Sequence, residues 1–450
     1  MIPPSSKAAS DQPDQSMPVE PVEPVEPVEP VEPVEPVEPV EPVEPVEPAP
    51  DQDSFGDHLP AGVATRAAAL LSDHLGTPVR VTAYEPLRVD GHAHVARLVL
   101  AGAAFPTAVV KVAHRGDDGE FDRAATGFWS PANRLWNEWA GLEFLSASGA
   151  TPAFYGGDAE LGFILLEDLG PERSLAHVLV REGVEQARAG MAGYVDALAG
   201  IHLAGFGRGE EYARLRARFG THAAGDGLAH DVRTKLAPTL AELEPGLASA
   251  VDDDALAAVD WIEEVLAAPS WQVYSPNDCC PDNNHVDEDG TVRLFDLEFG
   301  GFGHALRDLA YVRTVMPTCW CVRRLPDGLS EVLVDRYRQR LAEAGRDVDD
   351  AEFATALDAC QAYWALWALI WMVSQALTAD GAERRRYDEW EFDLGSHREL
   401  FVLRLDNLAD AARRQPRLAA LGDLAGTVRA ATRRAWPGVG LVPIYPAFGR

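Results

Sequence analysis

The sequence predicts an α+β protein in which a β-rich N-terminal lobe precedes a mainly helical C-terminal lobe. Short apolar runs with strand-like alternation fall between residues 79 and 166, whereas nearly all of the chain beyond Tyr311 has helical periodicity. Strands grouped ahead of helices are typical of an α+β fold. With 450 residues, 47% of them hydrophobic, the chain can bury a sizeable core.

The net charge of the chain indicates which kinds of binding partner are unfavourable. The net charge of −32 argues against nucleic acid or an anionic membrane as a partner, because both bind basic surfaces. The longest apolar run, Ala362 to Val373, is shorter than the roughly 20 residues of a membrane span. The Pro- and Ser-rich N-terminus has no apolar signal segment, so we expect a cytoplasmic protein with five reduced cysteines.

Residues 1–56 predict a disordered, low-complexity arm. The triplet Val-Glu-Pro repeats ten times from Val19 to Pro48. Regular Pro excludes helix and sheet, and the Glu charges repel one another, so an extended polyproline-II-like spacer is expected. The arm is either a tether or docking ligand for a partner or a neutral repeat expansion, and we favour the latter.

The first elements of the globular part are a helix and three strands. Ala61 to Leu75 has helical spacing and ends at Gly76. The strands are predicted at Val79–Leu87, Val95–Leu100 and Ala108–Ala113, with a turn from Arg88 to His94 between the first two. Lys111 stands at the centre of the third strand, although the chain has only two other lysines, Lys7 and Lys235. A Lys on a buried strand is costly unless an anion meets it.

The stretch 271–311 carries the chemistry. Two apolar runs, Trp271–Tyr274 and Val292–Phe295, predict strands joined by a turn. We expect this hairpin to bring Asp278, Asn283 and Asp296 together. Phosphoryl transfer uses such a set, with one carboxylate for the hydroxyl proton and an amide and a carboxylate as hard ligands for Mg²⁺.

With Asp308-Leu309-Ala310 opening the next helix, this stretch resembles the aminoglycoside phosphotransferase and choline-kinase-like family, whose fold is protein-kinase-like. The resemblance implies that Asp278 is the catalytic base and that Asn283 and Asp296 hold Mg²⁺. One position departs from the family pattern. Pro276-Asn277 precedes Asp278, where the family usually has His-Gly.

The same resemblance assigns nucleotide contacts in the N-terminal lobe. Lys111 would bind the α- and β-phosphates of ATP, positioned by Glu138 on a predicted helix, Asn133–Ser146, where Glu143 is the competing candidate. Adenine would contact backbone groups near Glu167 and Leu169, after a fourth strand at Phe163–Leu166. The turn at Arg88–His94 would cover the phosphates, with Gly91 as its single glycine.

The remaining chain predicts the helical lobe. We expect an N-terminal nucleotide-binding lobe and hinge over 57–170 and a C-terminal lobe with the catalytic loop and acceptor site over 171–450. Leu198 and His202 match a family pattern near the end of a long helix, and His202 is expected to be structural. The predicted helices are Val184–Ala204, Thr239–Leu266 with a break at Pro245-Gly246, Ser330–Ala344, Asp350–Thr378, Arg398–Arg414 and Leu418–Trp436.

Two side-chain groups allow alternative interpretations. Trp364, Trp367 and Trp371, with the acidic and aromatic stretch 388–393, could hold an amine-bearing acceptor, although a core stripe is the commoner explanation. The cysteine pairs 279–280 and 319–321, with two histidines (His285 and His304), could form a zinc site. Their spacing fits no standard ligand pattern, so buried thiols are expected.

The sequence therefore supports two function hypotheses. The first is an ATP- and Mg²⁺-dependent phosphotransferase that acts on a hydroxyl of a small molecule, either neutral or amine-bearing. The second is a non-catalytic, pseudokinase-type nucleotide-binding module, which the missing His and the glycine-poor turn favour. The presence of Asp278, Asn283 and Asp296 together favours the enzyme.

Overall fold

The computed structural model describes residues 59–89, 93–114, 121–220, 227–387 and 392–449. The predicted arm therefore lies outside the described residues, as do Gly91 and residues 388–391 of the acidic and aromatic stretch. The first helix, α1 (Val63–Leu75), ends at Gly76, whose φ of 67° is a left-handed cap. It packs against an antiparallel sheet of five strands, which confirms the β-rich N-terminal lobe.

The sheet has the order β1-β2-β3-β5-β4. Its strands are β1 (Arg80–Val89), β2 (Ala93–Ala101), β3 (Thr107–Ala113), β4 (Phe154–Asp158) and β5 (Phe163–Glu167). The sequence analysis missed β4, because its FYGGD sequence contains two glycines and no apolar alternation. Gly157 is required there, since a Cβ would lie 2.5 Å from the carbonyl oxygen of Phe163 and 2.6 Å from the Trp139 ring.

Helices make up most of the rest, as expected for the two-lobed, protein-kinase-like arrangement. One of them, α2 (Pro131–Phe144), follows β3 and begins with a cap from the Ser130 side chain. The others are α3 (Leu175–Arg181), α4 (Val184–Gly205), α5 (Gly209–Ala217), α6 (Leu228–Asp231), α7 (Ala237–Leu243), α8 (Asp253–Leu266), α9 (Ala305–Thr314), α10 (Leu329–Glu343), α11 (Asp350–Leu377), α12 (His397–Arg414), α13 (Ala419–Ala435) and α14 (Pro446–Gly449).

Two short antiparallel pairs hold the stretch 271–311, and their pairing corrects the predicted hairpin. The strand β6 (Gln272–Ser275) pairs with β9 (Gly301–His304), and β7 (Asn284–Val286) pairs with β8 (Val292–Leu294). The predicted strands exist, but they do not pair with each other. Each finds a partner that the apolar pattern did not reveal, because β7 has the sequence NHV and β9 the sequence GFGH, which are rich in polar residues and glycine. A further pair, β10 (Arg386–Tyr387) and β11 (Phe392–Asp393), lies after α11.

The two lobes meet at a slot that Gly141 and Gly300 form around the side chain of Tyr274. Tyr274 of β6 is fully buried. A Cβ added to Gly141 of α2 would lie 2.0 Å from the Tyr274 hydroxyl, and so would one added to Gly300. Neither position can carry a side chain while the tyrosine stays in place. Helix α2 of the N-terminal lobe is thereby held close to β6 of the C-terminal lobe.

By length and composition, α11 is apolar enough to cross a membrane, whereas the length of the Ala362–Val373 run within it predicts no span. In the fold, however, 78% of its apolar window is buried inside the protein. It packs against α9, α12 and α8. It is therefore the central helix of the C-terminal core.

A buried arginine supports the end of α9. The side chain of Arg404 on α12 has no exposed surface, and its guanidinium donates to the carbonyl oxygens of Thr314 and Val315. These carbonyls stand where the chain leaves α9 in a left-handed conformation, with a φ of 57° at Val315 and 51° at Met316. Burial lowers the pKa of Arg404 to about 10. The charge is retained at neutral pH because it satisfies these carbonyls.

We therefore expect Arg404→Met to lower the free energy of unfolding by about 3 kcal/mol or more, because it leaves buried carbonyls without donors. Arg413→Met, on the same helix, is the matched control, since Arg413 is exposed and pairs with Asp410 at the surface. Its effect should stay within about 0.5 kcal/mol. Chemical denaturation of both variants measures the difference. Equal effects would show that Arg404 does not hold the end of α9.

Candidate active site

Lys111 connects three elements of the site. Its ammonium lies 2.6 Å from a carboxylate oxygen of Glu138 on α2 and 2.5 Å from Oδ1 of Asp296, which follows β8. A third carboxylate, Glu298, lies 3.7 Å away. The sequence analysis predicted an anionic partner for this lysine, and the fold provides carboxylates from both lobes.

Electrostatics within this cluster is dominated by burial and by the ion pairs. Burial would lower the pKa of Lys111, but the carboxylates of Asp296 and Glu138 raise it above its ordinary value. Burial raises the pKa of Glu138, against the opposing effect of Lys111. The pKa of Asp296 is lowered, since the charge of Lys111 outweighs the burial of the carboxyl group. The lysine is thus charged, and Asp296 is ionised beside it.

The structure distinguishes the two glutamates that the sequence left in competition. Glu138 is buried and contacts Lys111. Glu143, further along α2, forms a surface pair with Arg218 at 2.5 Å. The five-residue separation turns the two side chains to different faces of the helix. Glu138 is therefore the glutamate of the site.

Asp278 lies in the loop between β6 and β7. Its Oδ1 accepts a hydrogen bond of 2.9 Å from the Thr318 hydroxyl, and its Oδ2 accepts one of 3.2 Å from the Asn283 amide. Burial raises the pKa of Asp278, and the bond from Thr318 opposes that effect. The charge of Asp296 raises it further.

Asn283 approaches Asp296 through the backbone. The backbone N–H of Phe295, next to Asp296, donates to the carbonyl oxygen of Asn283 at 3.1 Å. Because the side-chain nitrogen of Asn283 donates to Asp278, its amide oxygen is the atom suited to bind a cation. The structure thus brings the three predicted residues, Asp278, Asn283 and Asp296, into one region, although the strand pairing differs from the prediction.

The departure from the family pattern at Asn277 has a conformational explanation. Asn277 has a φ of 61°, a left-handed conformation that Asn tolerates better than most residues and that Gly adopts freely. Unlike Gly, its side chain also anchors the loop. Its amide nitrogen donates to the carbonyl oxygen of Phe299 at 2.7 Å, and its amide oxygen accepts from Arg307.

A buried network supports the start of this loop. The Ser275 hydroxyl accepts from the backbone N–H of Asn277 at 3.1 Å and donates to Asp308 at 2.8 Å. The other oxygen of Asp308 lies 2.9 Å from Nε2 of His202, whose Nδ1 contacts the Tyr337 hydroxyl at 2.7 Å. All of His202 and Asp308 is buried. These contacts agree with the expected structural role of His202.

Glu167 and Leu169 lie at the end of β5, where the sheet leads into the helical lobe. The Glu167 carboxylate is held by Arg293 of β8 at 2.8 Å. In the sheet, Lys111 is opposite Ile164 and Ala108 is opposite Glu167, so Glu167 lies three positions along the strand from Lys111. This corresponds to roughly 10 Å. The predicted adenine and phosphate contacts are therefore spaced along one strand pair.

The Trp stripe divides between core and surface. The Trp364 side chain is buried, and its indole N–H donates to the carbonyl oxygen of Arg307 at 2.7 Å. By contrast, Trp371 is 47% exposed, and the ammonium of Lys235 lies 5.5 Å from its ring centroid. The core interpretation therefore holds for Trp364. Asp388, Glu389, Trp390 and Glu391 of the predicted acceptor wall lie outside the described residues.

Several site residues escaped sequence reasoning. Thr318, 40 residues after Asp278, reaches the site only through the fold, and Glu298 was not singled out as a site residue. Glu298 is held by the guanidinium of Arg134 on α2 and by Asn137, whose amide donates to its carbonyl oxygen at 3.0 Å. Glu298 could have been suspected, because it stands two residues after Asp296 in the same loop.

No protein-family model matches the chain, and no curated protein matches it. Three solved structures illustrate the similarity of fold. A macrolide 2'-phosphotransferase from Brachybacterium faecium has 18% identity and a TM-score of 0.40, over 69% of this chain and 92% of that one. A choline kinase from Streptococcus pneumoniae has 14% identity and a TM-score of 0.39, over 79% and 98%. A choline/ethanolamine kinase family protein from Mesorhizobium loti has 15% and 0.39, over 80% and 99%.

Thr318 should control the ionisation of Asp278. Thr318→Val removes a hydrogen bond that favours the carboxylate, so the already raised pKa of Asp278 should rise further. NMR titration of the Asp carboxyl carbons, assigned with Asp278→Asn, measures the change. Thr314→Val is the control, because the buried hydroxyl of Thr314 donates to Ala310 within α9. A pKa of Asp278 that stays the same or falls in Thr318→Val would contradict this assignment.

Proposed function

We propose that the protein is an ATP- and Mg²⁺-dependent phosphotransferase that phosphorylates a hydroxyl group of a small molecule. The observation that carries the proposal is the convergence of Lys111, Glu138, Asp296, Asn283 and Asp278 at the junction of the two lobes. Phosphoryl transfer depends mainly on positioning and electrostatic stabilisation, and this set contains a group for each requirement.

Lys111 supports nucleotide binding. A buried ammonium held between carboxylates of both lobes is fixed in position and keeps its charge. In the proposed complex it contacts phosphate oxygens, while Glu138 continues to orient it. The backbone near Glu167 and Leu169, three or more positions along the sheet, would take the adenine.

The donor set fits Mg²⁺. This ion prefers hard oxygen ligands, and Asn283 offers an amide oxygen and Asp296 an ionised carboxylate. Glu298 adds a third oxygen donor in the same region, because its carboxylate lies close to those of Glu138 and Asp296. When bound, the ion would neutralise charge on the transferred phosphoryl group. Asn283 and Asp296 would hold it, as the resemblance implies.

Asp278 would act on the acceptor. Its carboxylate is already oriented by Thr318 and Asn283, and neither of these partners is a cation that would suppress its basicity. Burial raises its pKa, which makes it a stronger base than an exposed aspartate. In the proposed step it accepts the proton of the acceptor hydroxyl. The hydroxyl oxygen forms a bond to the γ-phosphorus of ATP while the bond from that phosphorus to the β,γ-bridging oxygen breaks, and ADP leaves.

The acceptor is proposed to be neutral or amine-bearing. The negative charges of two other carboxylates, Asp296 and Asp282, both raise the pKa of Asp278. An anionic acceptor would be repelled by this group, whereas an amine would be attracted. A screen for ATP consumption over hydroxylated compounds, including macrolides, choline-like amines and aminoglycosides, tests the acceptor class.

Asp278→Asn keeps the shape of the side chain and removes the proton acceptor. Turnover should fall on the order of 10²–10⁴-fold, while the Kd for ATP with Mg²⁺ stays nearly unchanged. Asp289→Asn is the control, because Asp289 lies in the exposed turn before β8. Full turnover by Asp278→Asn would refute the mechanism. ATP binding by the wild type without turnover of any compound would favour the non-catalytic module instead.

The two glutamates of α2 give a matched pair for nucleotide binding. In Glu138→Gln, Lys111 loses one of its anchors and is drawn toward Asp296, so the Kd for ATP with Mg²⁺ should rise about tenfold, or ~1.4 kcal/mol. Glu143→Gln should leave it within about twofold, because only a surface ion pair is lost. Calorimetry measures both. If the Kd changed equally in the two variants, the contact between Glu138 and Lys111 would have no part in phosphate binding.

A further inference from the structure

A second group of chemically active side chains lies beside the proposed active site. The turn after α9 brings Cys319 next to Cys280, which follows Asp278 by two residues. Their sulfur atoms and a carboxylate oxygen of Asp282 all lie within 4.8 Å of one another. The sulfur of Cys321 is 3.1 Å from that of Cys319. Three cysteines and one aspartate are thus gathered in one place, which the sequence spacing did not predict.

The spacing of these atoms is that of a metal site rather than of a disulfide. Tetrahedral Zn²⁺ with bonds of about 2.3 Å to sulfur and about 2.1 Å to oxygen holds its ligand atoms roughly 3.5–3.8 Å apart. The sulfur of Cys319 lies 3.9 Å from Oδ1 of Asp282. The separation of 3.1 Å between Cys319 and Cys321 exceeds a disulfide bond of about 2.05 Å. Cys321 lies outside the group whose ligand atoms are all within 4.8 Å of one another, so its sulfur would have to move to become the fourth ligand.

Neighbouring groups orient the candidate ligands. The indole N–H of Trp320 donates to Oδ2 of Asp282 at 2.5 Å, which turns Oδ1 toward Cys319. The Thr318 hydroxyl contacts the sulfur of Cys280 at 3.4 Å. Such outer contacts are characteristic of metal ligands, which need a fixed orientation. Simple packing of small thiols would not account for a carboxylate aimed at them.

The two histidines considered with these cysteines in the sequence analysis lie elsewhere. His304 is buried against Trp271 and contacts Cys360, whereas His285 is on β7 beside Asp287. The candidate ligand set is therefore rich in sulfur. Thiolates select soft or borderline ions such as Zn²⁺, and not Mg²⁺.

We propose that Cys280, Asp282 and Cys319, completed by Cys321, form a Zn²⁺-binding site distinct from the proposed Mg²⁺ site. On binding, each ligating thiol releases its proton to solvent, and its thiolate donates an electron pair to the metal. The ion would join the loop that carries Asp278 to the segment that carries Thr318. The proposal does not depend on the phosphotransferase function.

The test uses the full chain, reduced and stripped of metal by a chelator, and titrated with Co²⁺. One equivalent should give the near-ultraviolet charge-transfer absorption of thiolate bound to cobalt, and Zn²⁺ should displace it. Co²⁺ at the carboxylates around Lys111 would give no such band. Cys280→Ser and Cys319→Ser should each weaken binding more than about tenfold. Cys360→Ser, a buried cysteine outside the group, should leave binding unchanged.

A measurement on the wild type tests the proposal even if the serine variants fail to fold. Zn²⁺ should slow alkylation of Cys280 and Cys319 and leave that of Cys360 unchanged, as mapped by mass spectrometry of the native chain. Absence of a thiolate band in the folded wild type would overturn the proposal. A band that remains in both folded serine variants would also overturn it. So would a disulfide between Cys319 and Cys321, if the chain binds no metal after that disulfide has been reduced.

Discussion

The structure depends on the ion pairs of Lys111. A buried ammonium is stable only where carboxylates surround it, and here they come from α2 and from the loop after β8. The sheet, the helix and the loop must therefore be assembled together before the charge is compensated. This requirement links the folding of the two lobes to the geometry of the site. It also explains why a chain that uses lysine so rarely has one at the centre of β3.

The loop that carries Asp278 is anchored independently of Lys111. Asn277 takes a left-handed conformation, and its side chain bonds to Phe299 and Arg307. Ser275 connects the same loop to the buried Asp308. Asn277 thus provides both the backbone conformation and the anchoring contacts, at a position where the family that the sequence resembles usually has Gly. The departure at Pro276-Asn277 therefore does not by itself indicate a defective site.

Much of the fold could be predicted because its signals are local. The Gly76 cap, the helical spacing of the C-terminal lobe and the apolar strand around Lys111 are all evident within short windows of sequence. The pairing of the strands could not be predicted, because a contact between distant segments leaves no local pattern in the sequence. The strands at 272–275 and 292–294 were found, but their partners consist largely of polar residues and glycine and show no apolar pattern. The strand β4 was not predicted, because its sequence contains two glycines and no apolar alternation.

The candidate site also contains residues that could be predicted from a local motif and residues that could not. Asp278, Asn283 and Asp296 lie within one motif and could be proposed together, and Glu138 could be reduced to one of two choices. Thr318 and the grouping of Cys280 with Cys319 could not be predicted, because they depend on how the turn after α9 returns to the loop between β6 and β7. No spacing rule covers an approach between residues about 40 positions apart.

The slot that holds Tyr274 has a consequence for motion. With the hydroxyl wedged against Gly141 and Gly300, α2 has no free space in which to rotate or slide over the helical lobe. The part of the molecule that carries Glu138 is therefore held against the C-terminal lobe. For the proposed phosphotransferase, this predicts that the cleft opens by movement of the five-stranded sheet, while α2 keeps its place.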